Sequence, residues 1–506
     1  MPNVLFDALL GEIANPDKVF LDVPGGNSVT YAQMKTMSAR VADALQRLGV
    51  VPGDRVAAQV PKSVDAVALY LGVVRAGAVF LPLNTGYTAT EVAYFLTDAA
   101  PAVFVCAPAS ESALAPIAAS VKARLRTLDA QGEGSWPAEL ARSAGRFAGV
   151  DRVSDDLAAI LYTSGTTGRS KGAMLTHGNL LSNAQVLVSY WQFTDRDVLL
   201  HALPIFHTHG LFVALNVALI SGASVIFMER FQVDEVMRQM PRATSMMGVP
   251  TFYSRLLGQS GFTAELAAGM RLFVSGSAPM SAEVHKAFME RTGKSILERY
   301  GMTETNMNTS NPYRGDRRPG TVGFPLPGVS LRICDPATGA PLQTGEVGVI
   351  EVYGPNVFQG YWQMPEKTAT EFRDDGYFIT GDLGRIDPDG YVHIVGRDKD
   401  LIISGGFNVY PAEVEAAIDA VPGVAESAVV GVPHADFGEG VVAVVAPRPG
   451  ADLDETRIRD ALRGHIAAYK LPKRVLFVSE LPRNTMGKIQ KNLLREQYGT
   501  ACEGSP

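Results

Sequence analysis

The sequence has little cysteine and no excess of basic residues. Its three cysteines, Cys106, Cys334 and Cys502, are far apart in 506 residues and lack the spacing of metal ligands. An odd number of isolated cysteines argues against a disulfide scaffold and predicts a reducing, cytoplasmic location. Because 45 basic and 52 acidic side chains leave a net charge of −7, we expect no broad basic surface for nucleic acid. Anionic ligands must therefore be bound by cations concentrated at one place.

Signals for secretion and for a membrane span are also missing. The opening MPNVLFDALLGEI has no basic segment before an apolar run and predicts a first helix. Residues 211–228 carry no charge over about the length of a spanning helix, but Asn216, Ser221, Gly222 and Ser224 interrupt them. We therefore expect a buried helix, a Ser-Gly turn and a buried strand here, and no membrane partner.

The length and balanced composition of the chain predict two to four domains with a large core. Of the 506 residues, 46% are apolar and 19% are charged, as in ordinary globular proteins. Apolar strands alternate with amphipathic helices, for example over 55–60, 64–75 and 78–81. Such units predict an α/β fold of mainly parallel sheets covered by helices. From about Tyr391 the elements become shorter, which predicts a small α+β domain of about 110 residues at the C-terminus.

A loop rich in Ser, Thr and Gly is the strongest chemical signal. Residues 162–172, YTSGTTGRSKG, join an apolar strand at 157–162 to a second short strand at 173–176. Their hydroxyls, glycine amides and lysine are typical of a polyphosphate site. The loop is not a Walker A sequence, because Ser170 stands where a glycine is required and because the loop joins strand to strand.

Five further motifs follow this loop. They are SGSAPM at 275–280, ERYGMTET at 298–305, YFITGDLG at 377–384, VGRDKDLIISGGFNVYPAEVE at 395–415 and PRNTMGKIQ at 482–490. In this order the six motifs resemble the acyl-adenylate-forming enzymes, the superfamily of acyl-CoA synthetases, peptide-synthetase adenylation domains and firefly luciferase. HTHG at 207–210 and the arginine of ERYGMTET are most similar to the malonyl-CoA synthetases. The resemblance covers effectively the whole chain.

The resemblance implies a two-step reaction. ATP activates the carboxylate of an acid as an acyl-adenylate and releases pyrophosphate, and the thiol of coenzyme A then displaces AMP. It also implies Mg²⁺, an N-terminal AMP-binding domain of several α/β subdomains over 1–396, a hinge at 397–399 and a mobile C-terminal domain over 400–506. Attack on the α-phosphate requires mainly positioning and charge neutralisation.

Several side chains match the family's nucleotide positions. By resemblance, Glu304 is the Mg²⁺ ligand, with Thr163 as a second candidate, since magnesium at nucleotides takes few protein oxygens. Tyr300 offers a ring that can stack on adenine, and Asp382 can accept hydrogen bonds from both ribose hydroxyls, with Arg397 nearby. The predicted ATP and AMP set is Thr163, Ser164, Gly165, Thr166, Thr167, Lys171, Ser277, Glu298, Tyr300, Thr303, Asp382 and Arg397.

The last motif carries the predicted catalytic lysine. In the family, a lysine at the position of Lys488 enters the site only for adenylation, where it bridges the carboxylate and the α-phosphate. Rotation about Lys399 would then withdraw Lys488 and present a Gly-rich hairpin to the pantetheine arm of CoA. The predicted CoA-binding residues are Ser404, Gly405, Gly406 and Phe407. Because acetylation removes the charge of a lysine, we expect acetylation of Lys488 to stop adenylation.

Malonate has a second carboxylate that must be bound beside the reacting one. Burying an unpaired charge costs several kcal/mol, so a malonate site needs a cation or several donors. Arg299 is the leading candidate because a guanidinium can hold a carboxylate with two parallel hydrogen bonds. His207 and Ser277 are predicted to add donors, and His207 is also assigned to the catalytic set with Glu304 and Lys488.

Other interpretations stay open at the level of sequence. Arg299 could pair with Glu298 or lie at the surface, which would leave Arg230, Arg238 and Arg255 as other cations. The enzyme would then be a CoA ligase for another small, fatty or aromatic acid. A stand-alone adenylation enzyme that loads a carrier protein is a second alternative, and a nucleotide sensor without turnover is a third. Methylmalonate is a possible further substrate of the malonate interpretation.

Overall fold

The computed structural model describes residues 2–163, 170–405, 407–434, 436–463, 465–484 and 487–502. The strands in these ranges are, in chain order, β1 Val19–Asp22, β2 Val29–Thr30, β3 Arg55–Gln59, β4 Val79–Pro82, β5 Val103–Cys106, β6 Arg124–Thr127, β7 Leu157–Thr163, β8 Lys171–Thr176, β9 Val198–His201, β10 Ser224–Phe227, β11 Ser245–Gly248, β12 Leu272–Ser275, β13 Ile296–Met302, β14 Asn306–Ser310, β15 Phe324–Pro325, β16 Ser330–Cys334, β17 Gly348–Tyr353, β18 Phe378–Ile386, β19 Val392–Arg397, β20 Ile402–Ser404, β21 Phe407–Val409, β22 Val424–His434, β23 Gly438–Pro447 and β24 Arg474–Phe477.

The α-helices in the same ranges are α1 Val4–Phe6, α2 Tyr31–Arg47, α3 Val64–Arg75, α4 Ala89–Ala99, α5 Glu111–Ser120, α6 Ser135–Leu140, α7 His177–Tyr190, α8 Asn216–Ser221, α9 Val233–Gln239, α10 Pro250–Leu257, α11 Ala282–Thr292, α12 Pro365–Glu371, α13 Pro411–Asp419, α14 Glu455–Leu462 and α15 Lys491–Tyr498. Three of them begin with a capping box that the local sequence encodes. Thr30, Thr88 and Thr176 each accept a hydrogen bond from the third helical residue, whose side chain binds back to the cap.

Two large sheets form the body of the N-terminal region. The nine-stranded sheet has the order β15-β14-β13-β12-β11-β9-β10-β1-β2, and the six-stranded sheet has the order β6-β5-β3-β4-β7-β8. Pairing is parallel through the middle of both sheets and antiparallel at β1/β2, β13/β14, β14/β15 and β7/β8. The predicted α/β fold of mainly parallel sheets is therefore confirmed, and strands near 55–60 and 78–81 correspond to β3 and β4.

Helices are buried between the two large sheets. Positions 66–74 of α3 are all buried, as expected of a helix that contacts neighbouring elements on every side. One continuous core joins side chains of α2, α3, α7 and α8 with strands from both sheets. The sheets and helices thus share one packed core that brings side chains from distant parts of the chain together.

The uncharged stretch at 211–228 is divided in the way its interruptions predict. A π-helical turn, His209–Leu215, leads into α8, which ends at Gly222 with a φ of +71°, and β10 follows. In the part of the chain that the structure describes, no helix is long and apolar enough to cross a membrane.

A separate antiparallel sheet precedes the C-terminal domain. Strands β16, β17, β18 and β19 form it, so the change to short elements begins at Ser330 rather than near Tyr391 as the sequence predicted. Antiparallel strands need no crossover helix. The α/β alternation predicted for most of the chain therefore does not extend through this sheet. A 3₁₀ turn, Asp398–Asp400, follows β19 at the predicted hinge.

The C-terminal region has its own sheet and its own core. β21, β20, β23 and β22 lie in this order, and β24 pairs with β23 in parallel. The apolar side chains of α13 and α14 pack with β22 and β23 in a core distinct from that of the N-terminal region. This matches the small α+β fold expected there, while rotation of the domain about Lys399 stays a prediction.

Candidate active site

The stems of the phosphate loop are the first part of the site. β7 and β8 are paired up to Thr163 and Lys171, which lie opposite each other where the ladder ends. The predicted loop residues Ser164, Gly165, Thr166 and Thr167 lie outside the described residues. The Nζ atom of Lys171 lies 3.5 Å from a carboxylate oxygen of Glu371 and 4.1 Å from the ring centre of Tyr361.

Glu304 lies in the turn between β13 and β14, next to Thr303. The side chain is buried, and its carboxylate accepts a hydrogen bond of 3.1 Å from the hydroxyl of Tyr361. Burial raises the pKa of Glu304, while hydrogen bonds and the nearby cations Arg397 and Lys171 oppose that rise. Because Tyr361 contacts both Lys171 and Glu304, it connects the proposed phosphate and metal positions.

The donor chemistry at Glu304 fits a hard cation such as Mg²⁺. A buried carboxylate oxygen is a ligand that Mg²⁺ prefers, and magnesium at nucleotides uses one or two protein oxygens beside phosphates and water. Over the ranges the structure describes, no group of three or more His, Cys, Asp or Glu is arranged to hold a metal. Glu304 is the residue that would hold the ion, and Thr163, at the end of one stem, stays a second candidate.

Tyr300, Asp382 and Arg397 form a connected group. The hydroxyl of Tyr300 donates to Asp382 over 2.5 Å, and Nε of Arg397 lies 2.7 Å from the other carboxylate oxygen. Asp382 and Arg397 are opposite each other on β18 and β19, so pairing of these strands aligns them. Asp382 raises the pKa of Arg397, which keeps the guanidinium charged. The sequence predicted all three as nucleotide residues, and the structure brings them together.

Glu298, also on β13, has other partners. Its carboxylate lies 2.8 Å from Nδ1 of His285 on α11 and 3.3 Å from the amide of Gly320. Burial raises the pKa of Glu298, and the interaction with His285 opposes that rise. Glu298 therefore pairs with a histidine and not with Arg299, which removes one of the alternatives left open by the sequence.

Arg299 points to the opposite face of β13, since successive side chains of a strand alternate. It is 4% exposed, and its Nε and Nη2 atoms are buried without a hydrogen-bond partner among the described residues. Desolvation lowers the pKa of Arg299 to about 9, so the group still carries its charge at neutral pH. A buried, charged guanidinium with free N–H groups is costly unless an anion binds to it.

Gly276 creates the space for this guanidinium. A Cβ atom at Gly276 would lie only 2.3 Å from Cζ of Arg299 and 2.5 Å from its Nη1 atom. The next residue, Ser277, has a φ of +71°, which is uncommon for a residue with a side chain. The SGSAPM motif therefore shapes one wall of the pocket around Arg299.

Two histidines of the HTHG motif lie near Arg299. Nδ1 of His207 accepts a hydrogen bond from the amide of His209. Desolvation lowers the pKa of His207 to about 3, and the charges of Lys488 and Arg299 contribute, so His207 is neutral at physiological pH with its proton on Nε2. His207, Arg299 and Lys488 therefore lie within electrostatic range of one another.

His209 is a further residue of the site, which the sequence motifs did not single out. Its Nδ1 atom lies 3.1 Å from Oγ of Ser277, and its Nε2 atom is buried without a partner among the described residues. Desolvation and the charge of Arg299 lower the pKa of His209 well below its ordinary value. The repeated histidine in HTHG was the available signal, but which histidine reaches Ser277 depends on the π-helical turn.

Lys488 reaches this site from the C-terminal domain. Although its side chain is exposed, desolvation around the ammonium lowers the pKa of Lys488, and Arg397 lowers it further. Asp382 and Glu304 act in the opposite direction. A Cβ on the preceding Gly487 would lie 3.5 Å from Oγ1 of Thr251, so this loop is in contact with the N-terminal region. The structure thus brings Lys488 to the residues predicted to bind ATP.

The predicted CoA hairpin lies elsewhere on the C-terminal domain. Ser404 is buried, Gly405 has a φ of +59°, and Gly406 lies outside the described residues. Phe407 is 57% exposed, and its ring stacks on Tyr469 with centres 4.8 Å apart. The hairpin therefore presents an exposed aromatic pair in the arrangement that places Lys488 in the site.

A cavity of about 270 Å³ opens where strands of the two large sheets end. It is mainly apolar, with Lys62 inside and Arg230 at its border, and Pro204 and Phe206 of the loop before His207 form part of its wall. Lys62 also contacts Nδ1 of His201 over 2.7 Å. Ligands of α/β proteins commonly bind at such carboxyl ends of strands. Arg230, which the sequence offers as an alternative cation to Arg299, is thus among the residues that line this cavity.

Comparisons with known proteins identify the family of the chain. A model of the family described as "AMP-binding enzyme" matches residues 13–362, and one described as "AMP-binding enzyme C-terminal domain" matches residues 413–488. A feruloyl-CoA synthase of Amycolatopsis is 37% identical over 94% of this chain and 95% of its own length. A malonate–CoA ligase of Arabidopsis thaliana is 33% identical over 97% of this chain and 88% of its own length.

A solved structure extends the similarity to the domain arrangement. ATP-bound MatB from Rhodopseudomonas palustris is 58% identical, covers 99% of this chain and 100% of its own, and superposes with a TM-score of 0.98. For apo MatB from the same organism, at 58% identity and the same coverage, the TM-score is 0.87. The predicted resemblance is confirmed by these matches. The chain belongs to the AMP-binding enzymes and is an acyl-adenylate-forming CoA ligase.

Proposed function

We propose that this enzyme ligates malonate to coenzyme A through malonyl-AMP, with release of AMP and pyrophosphate. The observation that carries the proposal is the buried guanidinium of Arg299, whose Nε and Nη2 atoms have no partner among the described residues. An acid with a second carboxylate would satisfy these donors with two parallel, charge-assisted hydrogen bonds. A monocarboxylic acid would leave the charge buried and unpaired.

His209 and Ser277 support the same assignment. The buried Nε2 atom of His209 is a free polar position beside Arg299, and Ser277 holds the other ring nitrogen. If Ser277 donates to Nδ1, the proton of the neutral imidazole is on Nε2 and can be donated to a carboxylate oxygen. Arg299 and His209 together would bind the distal carboxylate from two sides.

The reacting carboxylate would then lie toward Lys488. One of its oxygens attacks the α-phosphorus of ATP, the bond from that phosphorus to the bridging oxygen breaks, and pyrophosphate leaves. Lys488 offsets the negative charge shared by the carboxylate and the α-phosphate. Lys171 and the phosphate loop hold the β- and γ-phosphates, and Tyr300, Asp382 and Arg397 hold adenosine.

Bound Mg²⁺ supplies positive charge at the phosphates, and Glu304 is the residue proposed to hold it. The thioester step needs a different arrangement, because Lys488 lies in the site while Phe407 of the predicted CoA hairpin is exposed. We infer that the C-terminal domain turns about Lys399 after pyrophosphate leaves. The CoA sulfur then attacks the acyl carbon, the bond from that carbon to the AMP oxygen breaks, AMP leaves, and the thiol proton passes to water.

A comparison of acids tests the proposal. We expect kcat/KM for malonate to exceed that for acetate, butyrate or benzoate by at least about 100-fold, since a site with buried polar groups rejects analogues that leave them unpaired. Methylmalonate should be used if the pocket has space at the central carbon. Preference for a monocarboxylic acid would contradict the proposal, and free CoA as the acceptor distinguishes it from loading of a carrier protein.

A second candidate substrate class is supported by one observation. The feruloyl-CoA synthase relative, at 37% identity, is more similar than the malonate–CoA ligase relative, at 33%. Ferulate therefore belongs in the same set of acids. If ferulate were preferred over malonate, Arg299 would have a structural role only.

A further inference from the structure

Helix α4 contacts both stems of the phosphate loop. Tyr94 and Asp98 are four residues apart on this helix, so their side chains lie on the same face. β7 and β8, the two stems, end at Thr163 and Lys171. One helix face thus lies against the chain that enters the loop and against the chain that leaves it.

The entering stem is bound through Tyr162. Its hydroxyl donates to a carboxylate oxygen of Asp98 over 2.5 Å, and its ring packs on Phe95 with centres 4.5 Å apart. Burial raises the pKa of Tyr162, and the hydrogen bond to Asp98 raises it further, so the hydroxyl keeps its proton and remains a donor. Tyr162 immediately precedes Thr163, so this bond fixes the backbone at the start of the loop.

The leaving stem is bound through Ser170. The hydroxyl of Tyr94 donates to the carbonyl oxygen of Ser170 over 2.7 Å, one residue before Lys171. A hydrogen bond to a backbone carbonyl constrains the chain direction at that point, and hence the origin of the Lys171 side chain. The ring of Tyr94 also lies edge-on to Tyr162, with centres 6.2 Å apart.

A third contact joins α4 to Trp362, whose neighbour Tyr361 contacts Lys171. The indole N–H of Trp362 donates to the carbonyl oxygen of Asp98 over 3.1 Å, and its amide donates to Gly172 over 2.7 Å. The neighbouring Tyr361 lies under Lys171 and donates to Glu304. Helix α4 is therefore connected with both stems and with the residue that links Lys171 to Glu304.

We propose that Tyr94 and Asp98 are positioning residues for the polyphosphate of ATP, acting through the two stems of the phosphate loop. The proposal rests on the proposed role of this loop and of Lys171, but not on the identity of the acid. Neither residue is proposed to contact the nucleotide itself. Each holds a stem so that Thr163 and Lys171 are aligned before ATP binds, which lowers the ordering cost of binding.

The test compares ATP with AMP, because AMP lacks the phosphates that the loop would bind. Dissociation constants of both nucleotides are measured by titration calorimetry without any acid, for Tyr94→Phe, Tyr162→Phe and the double variant. Each Tyr→Phe change keeps the ring and removes one hydrogen bond. We expect ATP binding to weaken roughly three- to tenfold per variant, with AMP binding within about twofold.

Two reference variants make the result interpretable. Tyr87→Phe is the matched control, since Tyr87 packs on Phe95 of the same helix with ring centres 4.9 Å apart. It should change neither affinity. Lys171→Ala should weaken ATP binding selectively, and failure of that result would contradict the proposed loop function rather than the positioning role.

The proposal is overturned if Lys171→Ala is selective for ATP while Tyr94→Phe and Tyr162→Phe leave ATP binding unchanged. It is also overturned if the two variants weaken ATP and AMP equally, because general destabilisation would produce that pattern. Asp98→Asn, which keeps an oxygen acceptor for Tyr162, should weaken ATP binding less than Tyr162→Phe. The double variant tests whether the two bonds act on the same loop. Its fold loss of ATP affinity should then be smaller than the product of the two single losses, with AMP affinity unchanged.

Discussion

Arg299 and Lys488 are two cations that act on the same histidine, His207, but they reach it from different parts of the molecule. Arg299 belongs to β13 of the N-terminal region and is 4% exposed, and the missing Cβ of Gly276 leaves space for its guanidinium. Lys488 lies in a loop of the C-terminal domain and keeps an exposed side chain. One cation lies in the core, and the other lies on the domain whose rotation we propose.

The difference indicates how recognition and chemistry are divided. Selecting one acid requires a group whose position does not change, since a small displacement would lose the two parallel hydrogen bonds of a guanidinium. The charge needed at the α-phosphate is required for one half-reaction only, and a point charge on a flexible stem is sufficient there. Variants of the two cations should therefore have different effects on the two half-reactions.

Lys488→Ala should have the largest effect. Adenylation, measured as pyrophosphate–ATP exchange with malonate, should fall by about 100-fold or more, because a charge at the developing negative charge is lost. Thioester formation from supplied malonyl-adenylate should survive, since the proposed domain rotation withdraws Lys488 for that step. Acetyl-lysine installed at position 488 should reproduce the defect by removing the same charge.

Lys473→Ala is the matched control for that comparison. Lys473 lies on the same domain, 3.9 Å from the ring centre of Phe437, and its replacement should leave exchange unchanged. Equal loss of both half-reactions in Lys488→Ala would contradict the two positions of the domain. Intact adenylation after acetylation would contradict the role assigned to the charge.

Arg299→Ala should lower kcat/KM for malonate by roughly 30- to 1,000-fold, because a bound carboxylate loses its buried partner. The dissociation constant of ATP should change by less than about threefold, since Arg299 is proposed to contact only the acid. Arg299→Lys should recover part of the activity at best, because an ammonium lacks the planar pair of donors. Steady-state kinetics with malonate and calorimetry with ATP give both values. Malonate kcat/KM within about threefold of the unchanged protein would refute the assignment.

Gly276→Ala should have a smaller effect of the same kind. The added Cβ would lie 2.3 Å from Cζ of Arg299, so the guanidinium must move. We expect malonate KM to rise about three- to thirtyfold, because the guanidinium is displaced but not removed. ATP affinity should be unchanged. Gly269→Ala is the control, since its Cβ would have 3.6 Å to the nearest backbone oxygen. A loss in ATP affinity equal to the loss for malonate would show that the variant disturbs more than the Arg299 pocket.

The sequence was informative where the chemistry lies in local motifs. The α/β class, the separate C-terminal fold, β3 and β4, and the division of 211–228 into helix, turn and strand all follow from periodicity and turn residues. The third sheet, β16 to β19, was missed because its short antiparallel strands carry no signal that separates them from neighbouring α/β units. Local patterns identify elements better than they identify which sheet an element joins.

The acid pocket shows the same limit at the level of single residues. Glu298 and Arg299 are neighbours in sequence, and an ion pair between them was an open alternative. Once they lie on a strand their side chains point to opposite faces, and His285 from α11 pairs with Glu298. His209 was overlooked beside His207, because only the folded π-helical turn brings His209 to Ser277.

By itself, the sequence determined the family and predicted the phosphate loop and the role of Lys488, because these depend on residues adjacent along the chain. Only the tertiary structure decided that Arg299 is buried without a partner among the described residues, that Gly276 makes space for it, and that Lys488 comes beside it from another domain. The physical reason is that burial, and the loss or gain of a charge partner, depend on segments far apart in the chain. A negative total charge of −7 is compatible with anionic substrates because the fold collects the required cations in one place.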